Sequence, residues 1–565
     1  MYIFRGARKR FTGGELLSRL RQSGEGLSIS EAKLRRLLAA GDLECAIADY
    51  VCAANDHEPP ILGCARARLL SAAAQFISRN GSTRQNAAMT RHKARMDSQL
   101  DSWVRCRNFS LAAAEGFRFY ALHPSVYAAT ARRWRDEHLR QSRAWVLGMR
   151  TIGSTLGAVA AAELAAAGME IRFSTLRPRG LPDNRYYRWT KDFEKLLLAW
   201  PGDFLLADEG PGLSGSSFAG LMQALGKLGI SRQRIALLPS WDPSAAQLSH
   251  PLAAREWETW QRYPAPPPAP PPGASRDLGA GRWRQVFAPG CPIPVWPWQD
   301  RLKYLDVSGT KLFKFAGLGE PASAAAERSR QLARAGFSLK ACEEGGGWIS
   351  QPVLNSRALF FSPASRLLLE QWAEWVGDYL AWCAAQYRLE NHALPSPELL
   401  EMLPTNCRLL LARNPRLPAP IAGPCCRLDG RMLAEEWGYA GGKFVKFDAL
   451  DHGDDHFFPG PTDPAWDLAG IEVEFGPSLS ELALHAYCRR SGDQEIRERL
   501  LWHRPAYAAF RAAFCAFAAQ RTLPPDADWF IRRRQRYQRR LETYLRKYEY
   551  GLRRTPNHLW VAKAS

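Results

Sequence analysis

The 565-residue sequence contains no apolar run long enough to cross a bilayer. Its best candidate, residues 156–169, is short, rich in alanine and interrupted by Glu163, whereas a membrane-spanning helix needs about 20 predominantly apolar residues. The basic N-terminus (MYIFRGARKRF) is not followed by an apolar stretch, so it does not resemble a secretory signal. We therefore expect a cytoplasmic protein with no membrane partner.

Closely spaced cysteine pairs are also missing, although the chain has 12 cysteines. No C-x-x-C pair occurs, and only Cys425 and Cys426 are neighbours, whereas a zinc site usually needs ligands paired at short spacing. The cysteines are therefore expected to be reduced and mostly buried. No internal repeat is present either.

Acidic residues are outnumbered, because 76 Lys and Arg face 56 Asp and Glu and leave a formal net charge of +20. So basic a chain should meet anions, namely nucleic acid, phosphorylated metabolites or acidic lipid, and the charge alone does not choose among them. Hydrophobic residues make up 46% and charged residues 23%, which excludes a mostly disordered chain.

A proline tract, residues 264–273 (PAPPPAPPPG), divides the chain into halves of similar size. Such a tract favours extended polyproline II and acts as a semi-rigid spacer. Because the length exceeds one compact core, we predict a multidomain α/β and α+β protein. Its parts are a helical region (1–100), a parallel-sheet domain (101–255), a Pro-rich linker (256–282) and a two-lobed domain with a basic C-terminal helix (283–565).

The secondary-structure pattern differs between the first hundred residues and the segment that follows. In the first hundred, Ser30 is a candidate helix cap, Gly41 a candidate helix end, and residues 79–98 a candidate loop. From about residue 145, short apolar strands alternate with helices, which favours βαβ units and a parallel sheet.

The most informative segment is residues 204–218 (FLLADEGPGLSGSSF), predicted as a buried strand, two acids, a loop rich in glycine and serine, and a helix. Glycines let backbone N–H groups converge, serine hydroxyls add donors, and a helix N-terminus adds positive potential, so this loop is suited to cradle an anion. Asp208 and Glu209 make sense if the ligand also carries ribose hydroxyls and Mg²⁺.

This pattern resembles the phosphoribosyl-diphosphate (PRPP) loop of type I phosphoribosyltransferases. The resemblance implies that Asp208 and Glu209 are catalytic and hold the ribose hydroxyls of PRPP. It implies that the 5′-phosphate is bound by Ser214, Gly215, Ser216 and Ser217. A glycine turn about 60 residues upstream lies where the family has its pyrophosphate loop, with Arg150 as the charged contact. A basic segment at Arg177 would cover PRPP as a mobile lid.

In the second half, residues 463–469 (DPAWDLA) resemble the DPAxDLA segment of aminoglycoside-phosphotransferase-like kinases. The resemblance implies a kinase-like, two-lobed domain in which Asp429 is the catalytic acid that orients the acceptor. Asp448, after a predicted strand, would bind a metal ion, and Glu435 or Glu436 would serve a second metal. The histidine that such kinases place before the catalytic aspartate is absent.

The lobe before it contains a predicted hairpin that carries Lys314, and Glu327 lies on the next predicted helix. Kinases use such a lysine, held by a helix glutamate, on the α- and β-phosphates of ATP, so both residues are predicted to bind nucleotide. An insert at 451–456 (DHGDDH) crowds two His and three Asp together. It is either a metal site or a polar surface loop.

The C-terminal segment, residues 531–554, is strongly basic and carries an apolar stripe formed by Tyr537, Leu541, Tyr544 and Tyr548. Arginine with interleaved aromatics can bind nucleic acid. Packing of the stripe on the domain, with the charges in solvent, is the favoured interpretation.

These resemblances predict an enzyme in which a PRPP-dependent pentosyltransferase is fused to a kinase-like phosphotransferase. It would use Mg²⁺ and ATP on small phosphorylated metabolites in nucleotide-like synthesis, with an acceptor base that the sequence does not name. The alternative is a PRPP- or nucleotide-sensing regulatory protein, with catalytically degenerate domains and a basic tail that contacts nucleic acid.

Overall fold

A computed structural model describes residues 10–22, 26–78, 87–354, 357–360, 364–448, 457 and 460–554. The chain begins with a mainly helical region that an antiparallel strand pair closes. Its elements are β1 (Arg10–Thr12), α1 (Gly13–Arg21), α2 (Ile29–Val51), α3 (Pro60–Ile77), α4 (Ala87–Arg105) and β2 (Ser110–Ala112). Ser28 caps α2, because its hydroxyl accepts a hydrogen bond from the backbone N–H of Glu31 at 3.2 Å.

A five-stranded parallel sheet follows, in the order β4-β3-β7-β8-β9. The elements of this part are α5 (Gly116–Phe119), α6 (Ser125–Glu137), β3 (Arg143–Met149), α7 (Gly153–Ala166), β4 (Glu170–Leu176), β5 (Arg179–Leu181), β6 (Asn184–Tyr186), α8 (Lys191–Ala199), β7 (Asp203–Ala207), α9 (Ser216–Lys227), β8 (Ile235–Leu238), α10 (Pro251–Glu256) and β9 (Gln261–Arg262). Successive residues of β3, such as Trp145 and Val146, belong to two different hydrophobic clusters, one on each face of the sheet. The sheet is therefore buried on both faces.

The second half opens with an antiparallel sheet in the order β10-β11-β12-β14-β13 and continues into a larger, mainly helical lobe. The elements of the first lobe are β10 (Ala274–Asp277), α11 (Arg284–Phe287), β11 (Lys303–Asp306), β12 (Lys311–Phe315), α12 (Glu320–Arg334), β13 (Cys342–Gly345) and β14 (Trp348–Pro352). Those of the second lobe are β15 (Arg357–Ala358), α13 (Arg366–Gln386), β16 (Arg388–Ala393), α14 (Pro397–Leu411), β17 (Gly423–Cys426), β18 (Trp437–Ala440), β19 (Lys443–Lys446), α15 (Ala465–Phe475), α16 (Pro477–Ser491), α17 (Ile496–Ala519) and α18 (Asp526–Arg554).

The protein is therefore a mixed α/β chain with one parallel and one antiparallel five-stranded sheet, as the sequence predicts at this level. Three local predictions are wrong. Most of the predicted loop at 79–98 lies in α4, whose described part starts at Ala87. Helix α2 is capped by Ser28 rather than Ser30, and it runs through Gly41 to Val51. Gly41 is needed there because a Cβ would overlap the hydroxyl of Thr155 on α7.

The two halves share one hydrophobic cluster. Phe313 and Phe315 of β12 belong to the same cluster as Leu37 of α2 and Val146 of β3. The predicted linker is accordingly structured: β9 joins the first sheet, and β10 joins the second inside the 256–282 range. The proline tract between them connects two sheets that pack on a common core.

Hydrogen bonds and ion pairs also join the two halves. The backbone N–H of Leu318 donates to the carbonyl of Phe117 at 2.9 Å, which ties the segment after β12 to α5. Arg19 of α1 binds Glu320 of α12 at 2.9 Å, and Arg35 of α2 donates to Ser323 at 2.6 Å. The end of the β12–α12 connection and the start of α12 are thus held by the first half.

The basic C-terminal helix packs through its apolar stripe. Tyr537, Leu541 and Leu545 are fully buried in the core of the second half, and the Tyr537 hydroxyl donates to Glu474 at 2.6 Å. Among the described helices, none combines the length and apolarity needed to cross a membrane. In the same part of the chain, no group of three or more His, Cys, Asp or Glu is arranged to hold a metal ion.

Candidate functional sites

The carboxyl ends of β3 and β7 form the first candidate site. The chain runs from β3 outward to β4, then returns past β3 to β7, so the connections after these neighbouring strands leave in opposite directions. Ligands of open α/β sheets bind in the crevice at such a switch point. The predicted glycine turn and the predicted acid–serine loop both lie there, and a Cβ on Gly153 would collide with the carbonyl of Ala207.

Asp208 follows β7 and is held by its own backbone. Its Oδ1 accepts the Glu209 N–H at 2.8 Å, and its carbonyl accepts the hydroxyl of the buried Tyr127. Burial raises the pKa of Asp208 to about 7, while the N–H donors of Glu209 and Gly210 oppose that rise. At neutral pH this carboxyl is therefore poised between its charged and neutral forms.

Glu209 points to the start of α5. Its Oε2 is buried next to Gly116, where a Cβ would overlap it, and Ile152 closes the same space. The carbonyl of Glu209 accepts the Ser240 hydroxyl, which ties the loop after β7 to the loop after β8. Glu209 is thus fixed between two elements, and its reach towards a ligand depends on the position of α5.

The serine loop forms a tight turn that leads into α9. Gly215 has a φ of +72°, which favours glycine, and it precedes the first helical residue. The Ser214 hydroxyl accepts the N–H of Ser216 at 3.2 Å, and both hydroxyls donate to the carbonyl of Pro182. The structure therefore brings the four residues predicted to bind phosphate together at a helix N-terminus, Ser217 included.

Arg150 and Arg177, both predicted to bind PRPP, form ion pairs with acids of this chain. The Arg150 side chain is fully buried and forms ion pairs with Asp56 and, at 3.4 Å, with Asp49. Arg177 donates to both oxygens of Asp49 and to the carbonyl of Arg150 at 3.1 Å. It lies between the end of β4 and the short hairpin of β5 and β6. Both guanidinium groups are neutralised by acids of the N-terminal helical region.

Asp49 and Asp56 were not among the predicted site residues. Their separation from Arg150 and Arg177, about 100 residues along the chain, gives no local pattern that would reveal these pairs. Burial raises the pKa of Asp56, while Arg150 opposes the rise. The three ion pairs fasten α2 and the segment after it to the carboxyl edge of the parallel sheet.

The second candidate site lies in the second half, around a fully buried lysine. Lys446 at the end of β19 contacts Asp429 at 3.1 Å and Glu436 at 2.9 Å. Burial opposes the charge of Lys446, but the two carboxylates outweigh it and raise its pKa. Asp429 also accepts the Tyr379 hydroxyl at 2.9 Å, and it is 1% exposed.

Asp467 of the DPAWDLA segment supports the loop that carries Asp429. Its carboxylate accepts the N–H groups of Asp429 at 3.2 Å and Gly430 at 2.9 Å. Burial raises the pKa of Asp467, and the nearby charge of Asp429 adds to the rise. Asp467 thus positions the loop that carries Asp429. The sequence resemblance alone does not assign this role to the segment.

Lys314 and Asp448, predicted for nucleotide and metal, form an ion pair. Arg431 lies between two of the predicted acids, 3.6 Å from Glu436 and 4.0 Å from Asp448. The structure therefore brings Lys314, Asp448, Glu436 and Asp429 into one connected cluster, through Arg431 and Lys446. The sequence does not predict either linking cation, Arg431 or Lys446. Lys446 does lie in the predicted strand that leads into Asp448.

Glu327 does not join this cluster. Its carboxylate binds Arg330 and Gln331 on its own helix, and the described contacts of Glu327 do not include Lys314. Glu435, the other candidate for the second metal, pairs with Arg533 of α18 at 2.9 Å. Among these two neighbours, Glu436 is thus the one that faces the cluster. The predicted insert at 451–456 lies outside the described residues.

Asp448 and Glu436 share one cationic neighbour, Arg431, and carboxylate oxygens are of the type that Mg²⁺ accepts as ligands. A metal ion between them would take the place of that guanidinium charge. In the first site, Oδ1 of Asp208 already accepts the backbone N–H of Glu209.

No protein-family model matches the chain, and no curated protein matches it. Among solved structures, it is similar to glucosamine kinase in complex with glucosamine, ADP and inorganic phosphate. That likeness has 15% identity and a TM-score of 0.32, and covers 44% of this chain and 80% of that chain. A second crystal form of glucosamine kinase has 17% identity, a TM-score of 0.24 and coverages of 45% and 72%. Likenesses at this level define neither the fold nor the function.

Proposed function

We propose that the second half is a phosphotransferase site that uses a nucleoside triphosphate and Mg²⁺. The observation that carries this proposal is the cluster of Lys314, Asp448, Glu436 and Asp429, drawn from both lobes of the second half. Phosphoryl transfer depends mainly on positioning and on neutralising phosphate charge, and this cluster supplies both signs of charge in one place.

Each residue has a proposed role. Lys314 would contact the phosphates, while Asp448 and Glu436 would hold the metal ion, whose contribution is to neutralise phosphate charge. Asp429 would orient the acceptor hydroxyl, supported by Asp467 behind it. Because Asp429 is buried and bonded to Tyr379, we propose that acceptor binding displaces that hydroxyl.

The test is calorimetric titration of ADP with Mg²⁺ into the full chain, beside Lys314→Met. Loss of a hydrogen-bonded charge at the phosphates should weaken binding by about tenfold or more. Lys443→Met is the matched control, since Lys443 is exposed on β19 and should leave binding unchanged. No binding to the wild type, or equal binding by both variants, would refute the proposal.

We further propose that the first half binds PRPP at the β7–α9 loop and transfers its phosphoribosyl group to a nitrogenous base. Two features favour this second site: the switch-point crevice, and the acids and serine loop that lie side by side within it. With Arg150 and Arg177 bound to acids, the phosphate would rest mainly on backbone N–H groups at the start of α9.

The corresponding test uses PRPP with Mg²⁺ and the full chain, because the first half shares its core with the second. Ser217→Asp should abolish binding by placing a negative charge where the 5′-phosphate is expected, whereas Ser231→Asp, on an exposed cap, should not. Absence of binding to the wild type would end the assignment. Pyrophosphate release with a panel of bases then separates a transferase from the alternative, a PRPP-sensing regulator.

A further inference from the structure

Arg328, in the middle of α12, has two buried donors that the protein does not use. Its Nε and Nη2 atoms are both shielded from solvent, and the described residues offer neither of them a hydrogen-bond acceptor. Glu327, the acid next to it in the chain, binds Arg330 and Gln331 instead. Buried donors of a charged group are costly when they are left unsatisfied, so this side chain indicates an acceptor that the chain itself does not supply.

The two open donors lie on the same edge of the guanidinium plane. The Nε–H and one Nη2–H of an arginine run parallel, and this spacing matches two oxygens of a carboxylate or a phosphate group. Because the fork is rigid and permanently charged, it favours an oxyanion over a neutral acceptor. The open edge of Arg328 is therefore suited to an anion.

Tyr387, at the end of α13, supplies a third open donor next to this guanidinium. The Cζ atom of Arg328 lies over the Tyr387 ring, 5.0 Å from its centroid. The Tyr387 hydroxyl is buried, and within the described chain it too has no hydrogen-bond partner. Trp382 packs edge to face on the same ring at 5.7 Å, which fixes its position. Both Arg328 and Tyr387 are partly exposed, so a ligand can reach the pair from solvent.

The helix that carries Tyr387 also leads to Asp429. Tyr379, Cys383 and Tyr387 are spaced four residues apart, so they share one face of α13. The Tyr379 hydroxyl donates to Asp429 at 2.9 Å. The carbonyl of Tyr387 accepts the backbone N–H of Arg427, on the segment that leads into Asp429, at 3.0 Å. This face of α13 therefore runs from the proposed acceptor-orienting acid to the open donors.

Arg328 lies against this same face. Burial opposes its charge, but four neighbouring groups outweigh burial and raise the pKa of its guanidinium: Tyr379, Cys383, Asp429 and Tyr387. Asp429 itself is bound by Lys446 at 3.1 Å, so it does not satisfy the open donors of Arg328. A molecule that fills the space next to Arg328 therefore lies near Asp429 as well.

We propose that Arg328 and Tyr387 bind an anionic group, a carboxylate or a phosphate, of the molecule whose hydroxyl Asp429 orients. The Nε and Nη2 donors of Arg328 would hold two oxygens of the anion, and the Tyr387 hydroxyl would donate to the same group. This inference rests on the proposed function of the second half. It assigns the phosphoryl acceptor to the hydroxy acids or the sugar phosphates, and it excludes neutral sugars as the preferred acceptor.

The test titrates gluconate, glucitol and glucitol 6-phosphate into the full chain, with and without ADP and Mg²⁺, and follows binding by ligand-observed NMR. The three probes share a six-carbon polyol, and their hydroxyls lie at several distances from the charged group. Gluconate or glucitol 6-phosphate should bind at least about tenfold more tightly than neutral glucitol. The tighter of the two identifies the anion as a carboxylate or a phosphate.

Two variants connect this preference to the proposed residues. Arg328→Gln should remove the preference for the anionic probe, and Tyr387→Phe should weaken that probe about threefold or more. Tyr387→Phe keeps the ring next to the guanidinium, so it keeps the test decisive if Arg328→Gln lowers the melting temperature. Arg334→Gln, at an exposed position near the end of the same helix, is the matched control and should leave the preference unchanged.

Equal or absent binding of the three probes to the wild type would overturn the proposal. So would a preference that persists in every folded variant at Arg328 and Tyr387. Binding of ADP separates this failure from that of the proposed function. If ADP binds and the probes are not distinguished, the anion subsite alone is refuted. If ADP does not bind, the phosphotransferase is refuted, and the acceptor role with it.

Discussion

Gly116 lies directly against the carboxylate of Glu209, so closely that a Cβ at position 116 would overlap Glu209 Oε2. Gly116 begins α5, and the next residue, Phe117, accepts the backbone N–H of Leu318 from the second half. Leu318 follows Lys314 by only four residues. One short helix therefore contacts an acid of the first candidate site and the segment after a lysine of the second.

Gly116→Ala should displace Glu209 or α5 and cost about 1–3 kcal/mol in the free energy of unfolding, the usual range for overpacking. It should also weaken PRPP binding if Glu209 holds the ribose. Gly63→Ala is the control, because nothing lies within 4 Å of its Cβ on α3 and alanine favours a helix. Urea unfolding checks both variants. Equal stability of the two would show that the space at Gly116 adapts.

Asp208 predicts a pH dependence of stability. Its pKa is about 7 in the folded chain, against an ordinary 3.8, so between these values the folded protein holds a proton that the unfolded chain releases. The stability that this bound proton contributes to the folded protein is therefore present at low pH and is lost as the pH rises from about 4 to 7. Asp208→Asn should gain stability over wild type at pH 8 relative to pH 5.

Urea midpoints at both pH values measure that difference. Asp136→Asn, at an exposed pair with Arg135, should show no such pH-dependent gain. The pKa assigned to Asp208 is wrong if the difference between wild type and Asp208→Asn does not change with pH.

Lys446→Met should destabilise the second half strongly. The substitution leaves the carboxylates of Asp429 and Glu436 buried without their shared cation, which costs about 3–5 kcal/mol for a broken buried pair. Lys443→Met, on the exposed part of the same strand, should change stability by less than about 0.5 kcal/mol. Chemical denaturation of the two variants side by side gives the answer. A small loss for Lys446→Met would mean that water or Arg431 takes over the role.

Phe313→Ala should destabilise both halves, because Phe313 is 2% exposed in the hydrophobic cluster that they share. We expect a loss of about 3–5 kcal/mol and one calorimetric transition that moves as a whole. Phe287→Ala, at a position 37% exposed, should have little effect. Two transitions, of which only one moves in Phe313→Ala, would contradict a common core.

The sequence predicts correctly those elements whose signals lie within a few neighbouring residues. The β7 strand, its two acids and the following helix lie where residues 204–218 indicate, because apolar runs and glycine act over a few residues. The hairpin that carries Lys314 is also confirmed. Gly41 misled the helix boundary because its role is contact with Thr155, a residue more than 100 positions away.

The charge partners could not be predicted in the same way. A basic residue beside a glycine turn suits a phosphate, but the structure gives Arg150 to Asp56. Glu327 fits the position of a helix partner for Lys314, yet the described pair of Lys314 is with Asp448. Such choices depend on which acids the fold brings close, and sequence spacing carries no information about that.

The core that Phe313, Phe315, Leu37 and Val146 share has a consequence for any division of the chain at the proline tract. Modules that keep their own cores can be exchanged by recombination, since each brings a finished surface to a new neighbour. Here, a gene that lost either half would encode an open apolar face. Neither half can therefore be cut away without exposing the apolar side chains that the other half covers.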